Sequence, residues 1–329
     1  MNEKKFQINL GNVCNNICKF CMNAEPLETR KFIPFSQIKK EIKEYRKKGY
    51  NVIGFLGGEL TVYPKIIDLV RLATRLGYKR IDLVSNGRKY SDLTFLKELN
   101  EAGYIRFYLS IHSHEERTED FLTSVKGSFR EKIRGLNHLV SLKKKGLIRE
   151  KIFINLVINK LNYKSLPRII LFYLRNFGVR DFRFNFIRPE GRAFAHFKIL
   201  VPAYREVLPY VKRSVLLSEK LRLNLSVEGI PYCILRNMRN FQEYIGELKD
   251  GAGTIKEGID RRKEFNIADL RKAELRVKPE TCRECIYDLY CEGPWKDYTQ
   301  INGFREFKPI RLKREKDPSG RRIKKHEKV

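Results

Sequence analysis

Six short apolar runs alternate with helical patterns over roughly the first half of the chain, and this alternation limits the fold more than any other feature. Residues 6–10 read as a strand and 35–48 as a helix behind Pro34-Phe35-Ser36. Residues 51–56 form a buried-strand run that ends in glycines, and 63–76 read as the next helix. Strands at 80–84, 105–111, 151–158 and 181–187 follow, separated by helical patterns at 93–102, 128–145 and 166–177, the second of these behind a long loop. A strand–helix alternation of this kind builds a parallel sheet with covering helices. Right-handed crossovers curve such a sheet into a barrel-like wall. Periodicity alone leaves a doubly wound sheet and a partial barrel both open. In either, ligands belong beyond the C-terminal ends of the strands.

The chemically unusual residues fall at those ends. Behind the first strand stand Cys14, Cys18 and Cys21, spaced C-x3-C-x2-C. A [4Fe–4S] cube normally takes a thiolate on each iron. Three thiolates from one short loop leave one iron open for chemistry. A structural zinc site is the alternative, although such sites close with four ligands, often as paired C-x2-C units. Gly57-Gly58-Glu59 ends the second strand, where two glycines let the backbone come close to a ligand and Glu59 offers a carboxylate for an ammonium; an ordinary turn would look the same. Ser85-Asn86-Gly87 ends the third strand and could turn Asn86 toward a ribose or a carboxylate. Ser110, His112, Ser113 and His114 cluster after the fourth, as hydrogen-bonding groups rather than metal ligands. Asn155, in the fifth strand, faces the sheet interior if Ile154 and Leu156 face the helices, and a structural hydrogen bond is an equal role for it.

The remaining cysteines are Cys233, Cys282, Cys285 and Cys291. Three plus four matches one open cluster and one fully ligated cluster, with no thiol left over. Zinc would accept the second set equally. Seven cysteines in this pattern argue for metal ligation in a reducing compartment rather than for a disulfide framework. No signal-peptide core and no long apolar run is present, so a cytoplasmic protein without a membrane span is expected. The formal net charge of +29 favours acidic partners, nucleic acid included. Most of that charge is spread over helical segments, as solvated faces usually are. Residues 249–263 read as a mobile loop. The stretch from Arg311 to Val329 carries nine Lys or Arg against three Asp or Glu, and reads as a disordered basic tail.

The C-x3-C-x2-C loop, with Phe20 just before its last cysteine, resembles the signature of radical S-adenosylmethionine (radical SAM) enzymes. The resemblance implies an open (β/α)6 barrel in which Cys14, Cys18 and Cys21 hold a [4Fe–4S] cluster whose open iron binds SAM. It places Phe20 beside the adenine. Gly57-Gly58-Glu59-Leu60 is similar to the family's GGEP motif, which holds the SAM amino group, with Leu60 in place of the proline. Ser110 and His112 are carried over as SAM contacts, and the segment from His114 to Phe129 resembles that of members acting on peptides. Cys282, Cys285 and Cys291, spaced C-x2-C-x5-C, resemble the centre of the auxiliary-cluster module called SPASM, or its shorter relative twitch. Trp295 stands where the full module has a further cysteine, so Cys233 is expected to complete a single auxiliary [4Fe–4S] cluster.

The expectation is therefore a radical SAM core over 1–200, a helical linker and auxiliary-cluster module over 201–310, and a tail over 311–329. Reductive cleavage of SAM would give a 5′-deoxyadenosyl radical that abstracts hydrogen from a substrate, first of all a peptide or protein. A low-potential donor such as a ferredoxin or flavodoxin would supply the electron. An RNA-modifying radical SAM enzyme is the alternative. An iron–sulfur or zinc RNA-binding protein is the non-enzymatic one.

Overall fold

The computed structural model describes residues 3–236, 254–256, 265–266, 271–311, 314–316 and 322–324. Seven parallel strands form the wall: β1 (Lys5–Asn9), β2 (Val52–Leu56), β3 (Arg80–Ser85), β4 (Ile105–Ser110), β5 (Ile152–Ile158), β6 (Asp181–Phe186) and β7 (Asn224–Glu228). Each strand pairs with its neighbour in sequence, so the order never reverses. A doubly wound sheet would reverse at a switch point. The absence of a reversal identifies the wall as a barrel segment. A short strand, β8 (Thr254–Lys256), adds parallel to β1, and β9 (Phe265–Asn266) pairs antiparallel to β8. Among the described residues β7 and β9 are the two edges, so the wall is open.

Strand side chains alternate in character. Phe6, Ile8, Ile53, Phe55, Phe107, Leu109, Ile154, Leu156, Phe182 and Phe184 are fully buried. They pack beneath the helices α1 (Phe35–Lys47), α2 (Ile66–Arg75), α3 (Leu93–Glu101), α4 (Glu116–Thr123), α5 (Ser128–Lys144) and α6 (Leu166–Phe177). Each such side chain contributes about 1.5–3 kcal/mol on leaving water. The alternate positions face the concave side and are mostly polar: Lys5 meets Asp82 at 2.9 Å, Arg80 meets Asp82 at 2.9 Å, and Arg183 meets Glu228 at 2.7 Å. A closed eight-stranded barrel fills its interior with apolar side chains. This open wall instead presents a polar lumen.

Several elements differ from the sequence reading. The helix expected at 63–76 begins at Ile66, after a 3-10 turn at Leu60–Val62. Pro64 holds Tyr63 extended and delays it. The loop expected before residue 128 contains α4, whose sequence ERTEDFLT offers little apolar periodicity. Two one-turn helices, α7 (Arg192–Ala195) and α8 (Phe197–Leu200), precede the long α9 (Tyr204–Lys220). Of the loop expected at 249–263, residues 254–256 form β8, and the rest lies outside the described residues. In the tail, Arg314–Lys316 pairs antiparallel with Arg322–Lys324; beyond Arg311 its other residues also lie outside those described. Among the described residues no helix is long and apolar enough to cross a membrane.

Candidate active site

The cysteine loop at the end of β1 is fastened by four other connections. Gly58 and Glu59, after β2, donate their N–H groups to Gly11 and Val13 carbonyls, each at 2.8 Å. After β3, Asn86 donates its side-chain amide to Asn15 Oδ1 at 2.7 Å, and Arg88 donates to the Asn15 carbonyl and, at 3.0 Å, to Asn16 Oδ1. From the other side, Ile17 and Lys19 donate their N–H groups to the last carbonyls of α4, on Thr123 and Leu122. After β6, the Arg192 N–H reaches the Cys21 carbonyl at 2.9 Å. A short loop of polar residues has little to bury, so this external lattice fixes it.

The Gly-Gly-Glu turn is engaged on both sides by the chain itself. A Cβ on Gly58 would stand 2.2 Å from the Val13 carbonyl oxygen, so the glycine is demanded by contact with the cysteine loop itself. The Glu59 carboxylate is turned inward. Its Oε1 accepts from Thr61 N–H at 2.9 Å, from Thr61 Oγ1 at 2.7 Å and from Ser85 Oγ at 2.7 Å, and its Oε2 accepts the Asn86 N–H at 2.6 Å. Glu59 thus cross-braces the ends of β2 and β3.

At the end of β4, Phe20 and His112 meet edge to face with centroids 4.5 Å apart. The His112 Nδ1 accepts the Val157 N–H at 3.1 Å, so in the neutral ring the proton sits on Nε2. Burial holds the His112 pKa down at about 4, and the ring is neutral at physiological pH. The His112 N–H donates to Glu119 Oε2 at 2.7 Å. Lys132, from α5, donates to Glu119 Oε1 at 2.5 Å and to the Ser110 carbonyl at 2.9 Å. Both side chains of this ion pair are essentially fully buried. Neither Glu119 nor Lys132 stood out in the sequence, because each looked like one more charge on a solvated helix. Asn155 does face the lumen, donating to Ser110 Oγ at 3.4 Å and accepting from Asn185 at 2.9 Å.

Cys14, Cys18 and Cys21 are partly buried and near enough to act on one another. Burial, then the neighbouring Glu59 carboxylate and Cys21, pushes the Cys14 thiol up to about 11. Burial pushes Cys18 up to about 12, with Cys14 and Cys21 adding to the rise. Asn16 N–H and the Asn86 amide lie 3.4 and 4.0 Å from the Cys14 sulfur. These are soft sulfur donors in a dry loop, and the thiols release their protons when metal binds. The set suits an iron–sulfur cluster.

The four later cysteines also converge. Cys233 sits on the one-turn helix α10 (Tyr232–Leu235), which Tyr232 links to Tyr287 at a centroid distance of 5.2 Å. Cys282 and Cys285 flank the end of a 3-10 turn at Glu280–Glu284, and Cys291 N–H closes a turn onto Tyr287 at 2.8 Å. Burial pushes Cys233 up to about 12, and Cys291, Cys282 and Cys285 all add to it. Among the described residues no three His, Cys, Asp or Glu side chains converge tightly enough to hold a single ion.

A basic and aromatic seam joins the two cysteine regions. Arg188 lies with Nη1 3.6 Å from the Met22 sulfur and with its guanidinium 5.5 Å from the centre of the Trp295 ring. Arg276 packs on the same indole at 3.4 Å and donates to the Gly293 carbonyl at 3.0 Å. Gly191, at φ +57°, lies so close to the cysteine loop that a Cβ there would stand 2.0 Å from the Met22 carbonyl oxygen.

Comparison with known proteins places this geometry. Curated relatives include a probable GTP 3′,8-cyclase of Saccharolobus islandicus, 27% identical over 192 residues, which cover 58% of this chain and 59% of that one. A 7,8-dihydro-6-hydroxymethylpterin dimethyltransferase of Methanocaldococcus jannaschii is 32% identical over 113 residues, 33% of this chain and 22% of that one. The match to the GTP cyclase thus spans less than two thirds of that relative's length. Among solved structures, SuiB of Streptococcus suis bound to S-adenosylmethionine superposes with a TM-score of 0.65 at 17% identity, covering 94% of this chain and 76% of that one. SuiB bound to its precursor peptide SuiA gives 0.64 at 18% identity, covering 94% and 75%. The family model of the Radical SAM superfamily matches residues 8–172, which run from β1 into α6 and contain the three-cysteine loop, the Gly-Gly-Glu turn and His112. The chain belongs to the Radical SAM superfamily.

Proposed function

We propose that this radical SAM enzyme carries a second, auxiliary [4Fe–4S] cluster and acts on a peptide or protein. The observation that carries the reading is the sorting of all seven cysteines into two groups, three at the end of β1 and four in the C-terminal region. Cys14, Cys18 and Cys21 would hold the SAM-binding cluster. Cys233, Cys282, Cys285 and Cys291 would hold the auxiliary one, as in a SPASM- or twitch-like module. When bound and reduced, the first cluster supplies one electron to the SAM sulfonium, which yields a 5′-deoxyadenosyl radical that abstracts hydrogen from the substrate.

The chain's own residues prepare that event. The lattice around Asn15, Ile17, Lys19 and Cys21 holds the cysteine loop still, so SAM meets a fixed site. The Gly57 and Gly58 backbone serves the SAM amino group, while Glu59 braces that backbone from behind. Phe20 and the neutral His112 would flank the adenine and ribose, and Asn86, Ser110 and Asn155 would supply the surrounding polar contacts. The polar lumen admits a substrate chain to the same strand ends. A ferredoxin or flavodoxin would deliver the electron in a reducing cytoplasm.

The peptide substrate is supported by the likeness of fold to SuiB, which binds a precursor peptide. A nucleotide substrate is the second reading, favoured by the probable GTP cyclases among the relatives. Metal analysis after anaerobic reconstitution tests the two-cluster assignment. About eight irons per chain are expected; about four irons and one zinc would make the C-terminal site a structural zinc site instead.

A further inference from the structure

After β6 stands a cation, Arg192, that no described carboxylate pairs with. Its buried Nη1 meets no hydrogen-bond acceptor among the described residues. The neighbouring cations are already engaged. Arg188 pairs with Glu190, and Arg276 donates to the Gly293 carbonyl beside the Glu292 carboxylate. Trp295 adds a second lone donor: the residue is 9% exposed, and its indole Nε1 meets no acceptor among the described residues. Both residues border the seam between the cysteine groups. The Arg192 N–H holds the Cys21 carbonyl, and Trp295 lies against Arg188, which touches Met22. A buried guanidinium nitrogen and a buried indole N–H left without acceptors are costly. An acceptor that arrives with a ligand removes the cost.

We propose that Arg192 is an anchor for a carboxylate of the substrate, so that the peptide acted on carries an acidic residue near its reacting position. This rests on the peptide reading given above. One planar guanidinium matches one carboxylate in a bidentate pair. A triphosphate would call for several free cations, and Arg188 and Arg276 are taken. The chain's formal net charge of +29 favours the same partner at longer range.

The test uses the reconstituted full chain with SAM present, and two fluorescein-labelled peptides that differ only in glutamate against glutamine. The glutamate peptide should bind about ten-fold more tightly, as a charge-assisted pair implies. Arg192→Gln should abolish that preference, and Arg192→Lys should keep part of it by retaining charge without the planar fork. SAM affinity should stay within about three-fold in both variants, since the pairing is with substrate. Equal binding of the two peptides, binding of neither at millimolar concentration, or an undiminished preference in Arg192→Gln would overturn the proposal. So would a collapse of SAM affinity in both variants, which would assign the guanidinium to the cofactor. GTP displacing the glutamate peptide in an Arg192-dependent way would also overturn it, in favour of a nucleotide. Formation of 5′-deoxyadenosine by the unaltered protein is scored separately, so failure of the anchor is distinguishable from failure of the radical chemistry.

Discussion

Glu59 accepts the backbone N–H of Asn86 at 2.6 Å, and through that bond the turn after β2 fixes the turn after β3. The same carboxylate accepts three further bonds, from Thr61 and Ser85. Glu59→Gln would turn an N–H2 group toward donors. The expected result is a loss of about 1–3 kcal/mol in stability, from donors left unsatisfied in a buried site, with weaker cluster retention as a consequence. Anaerobic denaturant unfolding measures it. A variant of unchanged stability that no longer binds SAM would show instead that the carboxylate serves the SAM ammonium directly.

Lys132 and Glu119 form a buried ion pair behind the cysteine loop. Removing one partner strands the other charge. Lys132→Met is expected to cost about 3–5 kcal/mol, and the double variant with Glu119→Gln to recover part of it. A double-mutant cycle by denaturant unfolding reads the coupling. A single-variant cost below about 1 kcal/mol would mean that water reaches the pair.

His112 gives a pH dependence with a definite sign. Its pKa falls from 6.5 to about 4 on folding, through burial. Between those values the unfolded chain binds a proton that the folded chain does not. Its contribution is therefore full above pH 6.5 and is lost as pH falls toward 4, by up to ~3 kcal/mol. His112→Asn should flatten the stability profile in that window relative to the parent, as followed by unfolding midpoints at stepped pH. Parallel profiles for the two proteins would contradict the buried, neutral ring.

Cys291→Ala should remove one of the four proposed C-terminal ligands and leave the three proposed N-terminal ones in place. Iron content is expected to fall by roughly half. Complete loss of iron would mean that the two sites do not load independently.

Much of this was legible in the sequence because it depends on local pattern. Apolar runs marked the strands, and the cysteine spacings marked the two groups of cysteines proposed as ligands. The choice between a doubly wound sheet and a barrel was not legible, because strand order is a tertiary fact. α4 escaped notice for a different reason. Its buried face includes Glu119 and Thr123, polar residues that only a partner such as Lys132 makes fit for the interior. Glu59 was visible but its direction was not, because the bonds it accepts from Ser85 and Asn86 join two strand ends that only the folded chain brings together. Arg192 could have been noticed only as a charge following Gly191, since its lack of a partner among the described residues is a property of the folded chain.

The most direct measurement is anaerobic incubation of the reconstituted protein with SAM and dithionite, followed by analysis of the nucleoside product. The account predicts 5′-deoxyadenosine from the parent protein and none from Cys18→Ala, in which the cluster proposed for Cys233, Cys282, Cys285 and Cys291 is expected to remain. No 5′-deoxyadenosine from a fully loaded parent, or its persistence in Cys18→Ala, would contradict the account.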